Sequence, residues 1–387
     1  MRKFKYGLII LILIVVAGGC FIKLRKPKVT EVATKNSSSV VEESLKPVVK
    51  NVNGINVMID PRMELLAVVQ ALGTYDQQFD LITNMSFNYK DDIMKYFSNF
   101  SKHEAVKQFD TMSRSGFSFD APPTAMLYLS NPINIEIKQD FNKELKSRAT
   151  KESLNKLAKE LKNFAVDTKF QEFFNSHRDF YNSVVEKNAE VMGKSNYISY
   201  LEQYYGMKQN SYNIILAPMF HNGGFGPSIE NENGLYDLYS IEGPNSLKGN
   251  IPMFGDEEGF RYLALHEFSH SFVNSLTEEN IAEVNKYKKL YEPIQDKMAK
   301  QAYSSWDISV NEHIVRAVVA RITYINSGSE EYEKVIANEK NRGFLYIDEL
   351  TKKLEEFEKN RDKYKNFKEF YPELIKAFDK ILKDSNL

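Results

Sequence analysis

The sequence predicts an α+β protein that is mostly helical, with a small mixed or antiparallel sheet and helical flanking regions. Three observations lead to this class. Apolar residues recur at three- and four-residue spacing over residues 143–164 and 170–191, with Lys and Glu between them, as in amphipathic helices. Only short runs, 55–59, 211–220 and 234–241, read as strands. Residues 260–274 form an apolar segment of helical character that carries two histidines and a glutamate.

The chain has 387 residues, a 13% aromatic share and a formal net charge of −1. A sizeable core is possible, and a nucleic-acid binder relying on an overall positive field is excluded. Cys20 is the single cysteine, so no disulfide framework exists. It follows a basic start (Arg2, Lys3, Lys5), an apolar stretch from Leu8 to Val16, and Ala17-Gly18-Gly19. The stretch is short for a membrane-spanning helix and suits a signal peptide. The run into Cys20 resembles the lipobox of bacterial lipoproteins, with Ala17 where leucine is usual. That resemblance implies a signal peptide over 1–19, lipid attachment at Cys20, and anchoring to the extracytoplasmic face of the cell membrane. Residues 20–52, basic at first and then rich in Ser and other polar residues, read as a lipidated tether and linker.

The folded part is expected over 53–387. After a strand at 55–59, Asp60-Pro61 opens a helix that Gly73 ends, with Asp60 as N-cap and Pro61 in the first turn. The helical N-terminal part then runs to about 210, with Pro122-Pro123 read as a loop and His103 and His177 as surface histidines. Residues 211–220 contain Pro218, which lacks the ladder N–H, so this strand is placed at a sheet edge where a peptide substrate could add itself. The catalytic core extends over about 211–327. Asp256 caps the helix of residues 260–274, a new helix begins at Thr277-Glu278-Glu279, and another covers 306–321 and breaks at Gly328. The C-terminal part, about 328–387, reads as charged amphipathic helices that brace the core.

The chemistry concentrates in His266-Glu267-Phe268-Ser269-His270. Residues four apart on a helix lie about 40° apart around the axis, so His266 and His270 can reach one metal ion. Glu267 falls beside the metal, where it can act as general base on a metal-activated water. A catalytic zinc site needs a third protein ligand. Glu312 is the favoured candidate, an acidic residue in the apolar stretch 308–319, with Asp307 and His313 as competitors. Arg316, one turn on, offers Glu312 a structural salt bridge instead. Oxyanion donors are left open among His221, Tyr239, His313 and Arg316.

His266–His270 followed by Asn311-Glu312 on a later helix resembles the gluzincin zinc metallopeptidases, the group of thermolysin and the zinc aminopeptidases. Asp60–Leu66, the loop Gly223–Gly226 and the Glu312/Arg316 helix together also resemble an uncharacterised family of bacterial lipoproteins with a gluzincin-like domain. The resemblance implies an edge strand over a zincin active-site helix, one Zn²⁺ per chain on His266, His270 and Glu312, and hydrolysis of peptide or protein substrates with Glu267 as base. It leaves two rivals: a catalytically inactive zinc-containing peptide-binding or adaptor lipoprotein, and a metal-free solute-capturing one. The chain departs from thermolysin in having Arg316 four positions after the glutamate, where thermolysin is acidic. It also lacks the aminopeptidase exopeptidase motif, so endo- and exopeptidase action both stay open.

Overall fold

The computed structural model describes residues 45–193, 196–301 and 303–385. The signal peptide, Cys20 and the tether up to residue 44 lie outside the described residues. Helices dominate, with a small mixed sheet, which is the predicted class. No helix among the described residues is long and apolar enough to cross a membrane.

The first strand, β1 (Val48–Val52), pairs antiparallel with β2 (Ile55–Ile59) across the tight turn at Asn53-Gly54. The expected linker therefore ends earlier than residue 52, because Leu45 and Val48 are already buried. A long helical excursion separates β2 from β3 (Ser211–Leu216), which lies parallel to it. Next come the two-residue β4 (Gly224–Phe225), β5 (Ser228–Glu230) and β6 (Tyr236–Glu242). β6 is parallel to β3, and β4 and β5 both run antiparallel along its far side, giving the order β1-β2-β3-β6-β4. A hairpin, Ser246–Lys248 with Ile251–Met253, stands apart from this sheet.

The edge assignment of residues 211–220 is corrected. β3 is interior, and it stops at Leu216, so Pro218 is never asked to donate to a ladder. Its nearly continuous burial is what a strand paired on both sides and covered on both faces requires. The edge beside the HExxH segment is β4–β5, interrupted at Gly226-Pro227.

Asp60 caps the helix Pro61–Leu72 through the Arg62 N–H, as expected. Arg62 also donates to the carbonyls of Leu127 at 3.1 Å and Leu129 at 3.2 Å, fastening this helix to the next layer. Pro122-Pro123 is not a loop. Both prolines lie near the start of the helix Ala121–Leu127, where missing N–H groups have no intrahelical partner to lose. Thr277–Glu279 ends a helix rather than starting one, since the segment Glu257–Glu279 is continuous. Thr277 is buried and bonds to Asn311 and Tyr371, so its side chain joins the core instead of capping.

Candidate metal centre

Two helices build the site. Glu257–Glu279 starts with Asp256 accepting from the Gly259 N–H at 2.8 Å. Its apolar residues face in several directions, as in a helix buried on most sides. Phe268 meets Tyr212 of β3 edge-on at 5.2 Å, and Phe272 stacks on Tyr205 at 4.5 Å. These contacts press the helix against β3 on one side and the helix Tyr197–Tyr205 on the other. The second helix, Trp306–Ser327, has Val310, Ile314, Val315, Ala317 and Val318 fully buried, and the Thr277–Asn311 bond ties the two together.

Across this junction His266, His270 and Glu312 converge, all buried. The two Nε2 atoms are 3.3 Å apart; Glu312 Oε1 lies 3.2 Å from His270 Nε2, and Oε2 lies 3.6 Å from His266 Nε2. Donors at zinc–nitrogen distances of 2.0–2.1 Å in a tetrahedron stand about 3.3 Å apart, so the spacing fits such an ion. Glu312 Oε1 is also buried without a well-aligned hydrogen-bond donor. This set could hold a metal.

The surroundings orient the donors. His270 Nδ1 faces Asn274 Oδ1 at 3.1 Å, which places a proton on Nδ1 and leaves the Nε2 lone pair toward the cluster. Burial, with Arg316 nearby, holds His266 well below the usual imidazole range. For His270 burial acts downward too, but Glu312 outweighs it and the net shift is upward. Burial would raise Glu312; Arg316 and the histidines overcome it and keep the carboxylate ionised. Glu267 is pushed up to about 8, chiefly by burial, against the opposing charge of His270.

The candidate ligand and the candidate salt bridge prove compatible. Arg316 holds Glu312 Oε2 through Nη2 at 3.0 Å and Nε at 3.2 Å, and its Nη1 reaches Glu339 at 2.9 Å. Asp307 sits in the first turn of its helix and is not in the cluster. His313 turns away: Nδ1 bonds the Ser309 carbonyl at 2.7 Å and its ring stacks on Tyr346. His221 lines a separate cavity with Asp80 and Asn84. Of the four oxyanion candidates, only Tyr239 lines the cleft that Glu267 and His270 open into.

That cleft runs between the HExxH helix, the edge at Gly226–Ser228, and the helices Ala121–Leu127 and Lys143–Arg148. The edge passes close to Glu267: a Cβ at Gly226 would lie 3.5 Å from its Oε2, in ordinary van der Waals contact. Sequence reasoning did not single out Asn274, Glu339, Glu242 or the Asp120/Glu144/Arg148 wall. Asn274 was within reach of the i, i+4 spacing from His270; the others have no local signal. Glu242, buried on β6, is pushed up to about 7 by burial, and its charge acts on Glu267.

A family model matches residues 55–377, from β2 to the penultimate helix. The chain belongs to the DUF4932 family, a domain of unknown function. No curated protein and no solved structure matches it. His266, Glu267, His270, Glu312 and the cleft all fall inside the DUF4932 match.

Proposed function

We propose that this chain is a zinc-dependent peptidase of the gluzincin type, exported and tethered to the membrane through a lipid on Cys20. One observation carries the catalytic reading. Three buried donors, His266, His270 and Glu312, converge at tetrahedral spacing, with Glu267 beside them lining a cleft. When bound, zinc supplies Lewis-acid polarisation of water and of the scissile carbonyl. Glu267 takes a proton from the attacking water and returns it to the leaving amine nitrogen. Burial raises Glu267 above the usual carboxylate range, and a zinc ion held beside it would draw it back toward the ionised form a general base requires. Tyr239, which lines the cleft, is the candidate donor to the oxyanion, and its hydroxyl also bonds to Arg62.

The β4–β5 edge supports peptide as the substrate class. The Tyr239 N–H donates to the Pro227 carbonyl at 3.0 Å, so residue 227 faces the sheet. By strand alternation, the backbone groups of Gly226 and Ser228 face the cleft, where an extended peptide can bond to them.

The test uses two variants and two readouts. Glu267→Gln should keep about one zinc per chain by metal analysis and lose ~10²–10⁴-fold in cleavage of a peptide library. Glu312→Ala should lose the zinc itself, whereas Asp307→Ala should not. Cleavage by Glu267→Gln at the wild-type rate would sink the peptidase reading. Stoichiometric zinc with no cleavage by wild type would favour the zinc-containing peptide-binding alternative.

A further inference from the structure

The cleft has two unlike walls. One carries Glu267 and His270; the facing one, from the helical N-terminal part, carries Asp120, Glu144 and Arg148. Arg148 is engaged with its own surroundings. Its Nε donates to the Gly116 carbonyl at 2.7 Å, Nη2 to the Ser118 carbonyl at 2.8 Å, and Nη1 reaches Asp120 Oδ1 at 3.5 Å. Asp120, itself buried, is thereby neutralised in part. The Glu144 carboxylate has neither an ion pair nor a hydrogen bond among the described residues, yet it is sheltered. Burial, reinforced by Asp120 and opposed by the charge of Arg148, pushes it up to about 7. Opposite it, Glu267 points into the same space with its side chain only 7% exposed and without a hydrogen bond among the described residues.

The segment that presents Glu144 also closes the substrate edge. Gln139 Nε2 donates to the Glu230 carbonyl at 3.2 Å, taking the next outward-facing carbonyl after Ser228. A strand laid along Gly226–Ser228 therefore meets this wall instead of continuing past it. A sheltered carboxylate without a partner loses solvation that a cationic group on a ligand would restore.

We propose that Glu144, backed by Asp120, is a subsite for a cationic nitrogen of the substrate, either the α-ammonium of a peptide or a Lys or Arg side chain near the scissile bond. This rests on the peptidase reading for the word substrate, but its test does not depend on turnover. Four probes separate the two sources in the zinc-loaded full chain, with Kd read by calorimetry: norleucine hydroxamate, lysine hydroxamate, and the Nα-acetyl derivative of each. At least one cationic probe should bind roughly tenfold tighter than acetyl-norleucine hydroxamate, about 1.4 kcal/mol. Glu144→Gln should collapse that difference, and Glu144→Lys should reverse it. A free α-amine is the source if acetylation removes the advantage, and a basic side chain if acetyl-lysine hydroxamate retains it. Four equal affinities, no binding of any probe, or a difference that survives in Glu144→Gln would each overturn the proposal. Loss of turnover in Glu267→Gln without any change in these affinities would leave the two readings separately decided.

Discussion

One carboxylate at the centre of the site serves two sets of partners. Arg316 takes Glu312 Oε2, while Oε1 faces His270, so a single side chain is both ion-paired and available as a ligand. Removing one partner of such a buried set is costly, which is why Glu312→Ala is read by zinc content rather than by stability alone. A second buried acid shows the opposite regime. Glu64, fully buried, accepts from Tyr89 at 2.5 Å, and Tyr89 lies 2.7 Å from the Tyr181 hydroxyl, with no cation in the group. Burial pushes Glu64 up to about 8, so the folded protein holds its proton where the unfolded chain would release it. Stability from the neutral acid is complete below the unfolded value near 4.5 and is lost as pH rises through about 8. Relative to Glu64→Gln, wild type should lose up to about 1.4 kcal/mol of unfolding free energy per pH unit across that window. Urea titrations at a series of pH values check this; parallel profiles for the two proteins would show that Glu64 does not titrate there.

The element that orders the site is the turn after β6 as much as the HExxH helix. Gly243 donates its N–H to the Gly223 carbonyl at 2.8 Å, locking the loop that leads into the substrate edge. A Cβ at Gly243 would lie 1.7 Å from the His221 carbonyl oxygen, a backbone atom that cannot move aside cheaply. Gly243→Ala should therefore cost on the order of 3 kcal/mol or abolish soluble protein. A variant that melts within 2 °C of wild type, about 1.4 kcal/mol for a chain of this size, would contradict this close approach. The helices themselves were legible: apolar spacing, Asp60 and Asp256 caps and the stop at Gly328 all reappear. The edge strand was not. Pro218 was a fair sign of an edge, but strand order depends on which segments pair, and pairing is a long-range property.

At the scale of the whole molecule, the parts separated by sequence pattern share one framework. β2, at the start of the helical N-terminal part, is the parallel neighbour of β3 in the core, and Arg62 beside it anchors the far cleft wall. A fragment of residues 211–387 would expose the β3 face that β2 covers and lose the wall carrying Glu144. It should not fold alone, giving broad amide signals and rapid proteolysis, whereas residues 45–387 should unfold in one cooperative transition. Two well-separated thermal transitions in the intact domain would count against this unity.

The amino-acid order alone determined the helical class and singled out His266, Glu267, His270 and Glu312 as the candidate site. Each follows from local periodicity, or from the cost of placing a charge in an apolar stretch. Only the tertiary structure decided that β3 is interior and that Arg316 and the histidines share Glu312. It also set Tyr239, Asp120 and Glu144 around the same cleft as Glu267. Those relations join separate elements, as β2 with β3 and Glu144 with Glu267, and nothing in the spacing along a chain encodes which distant surfaces close on one another.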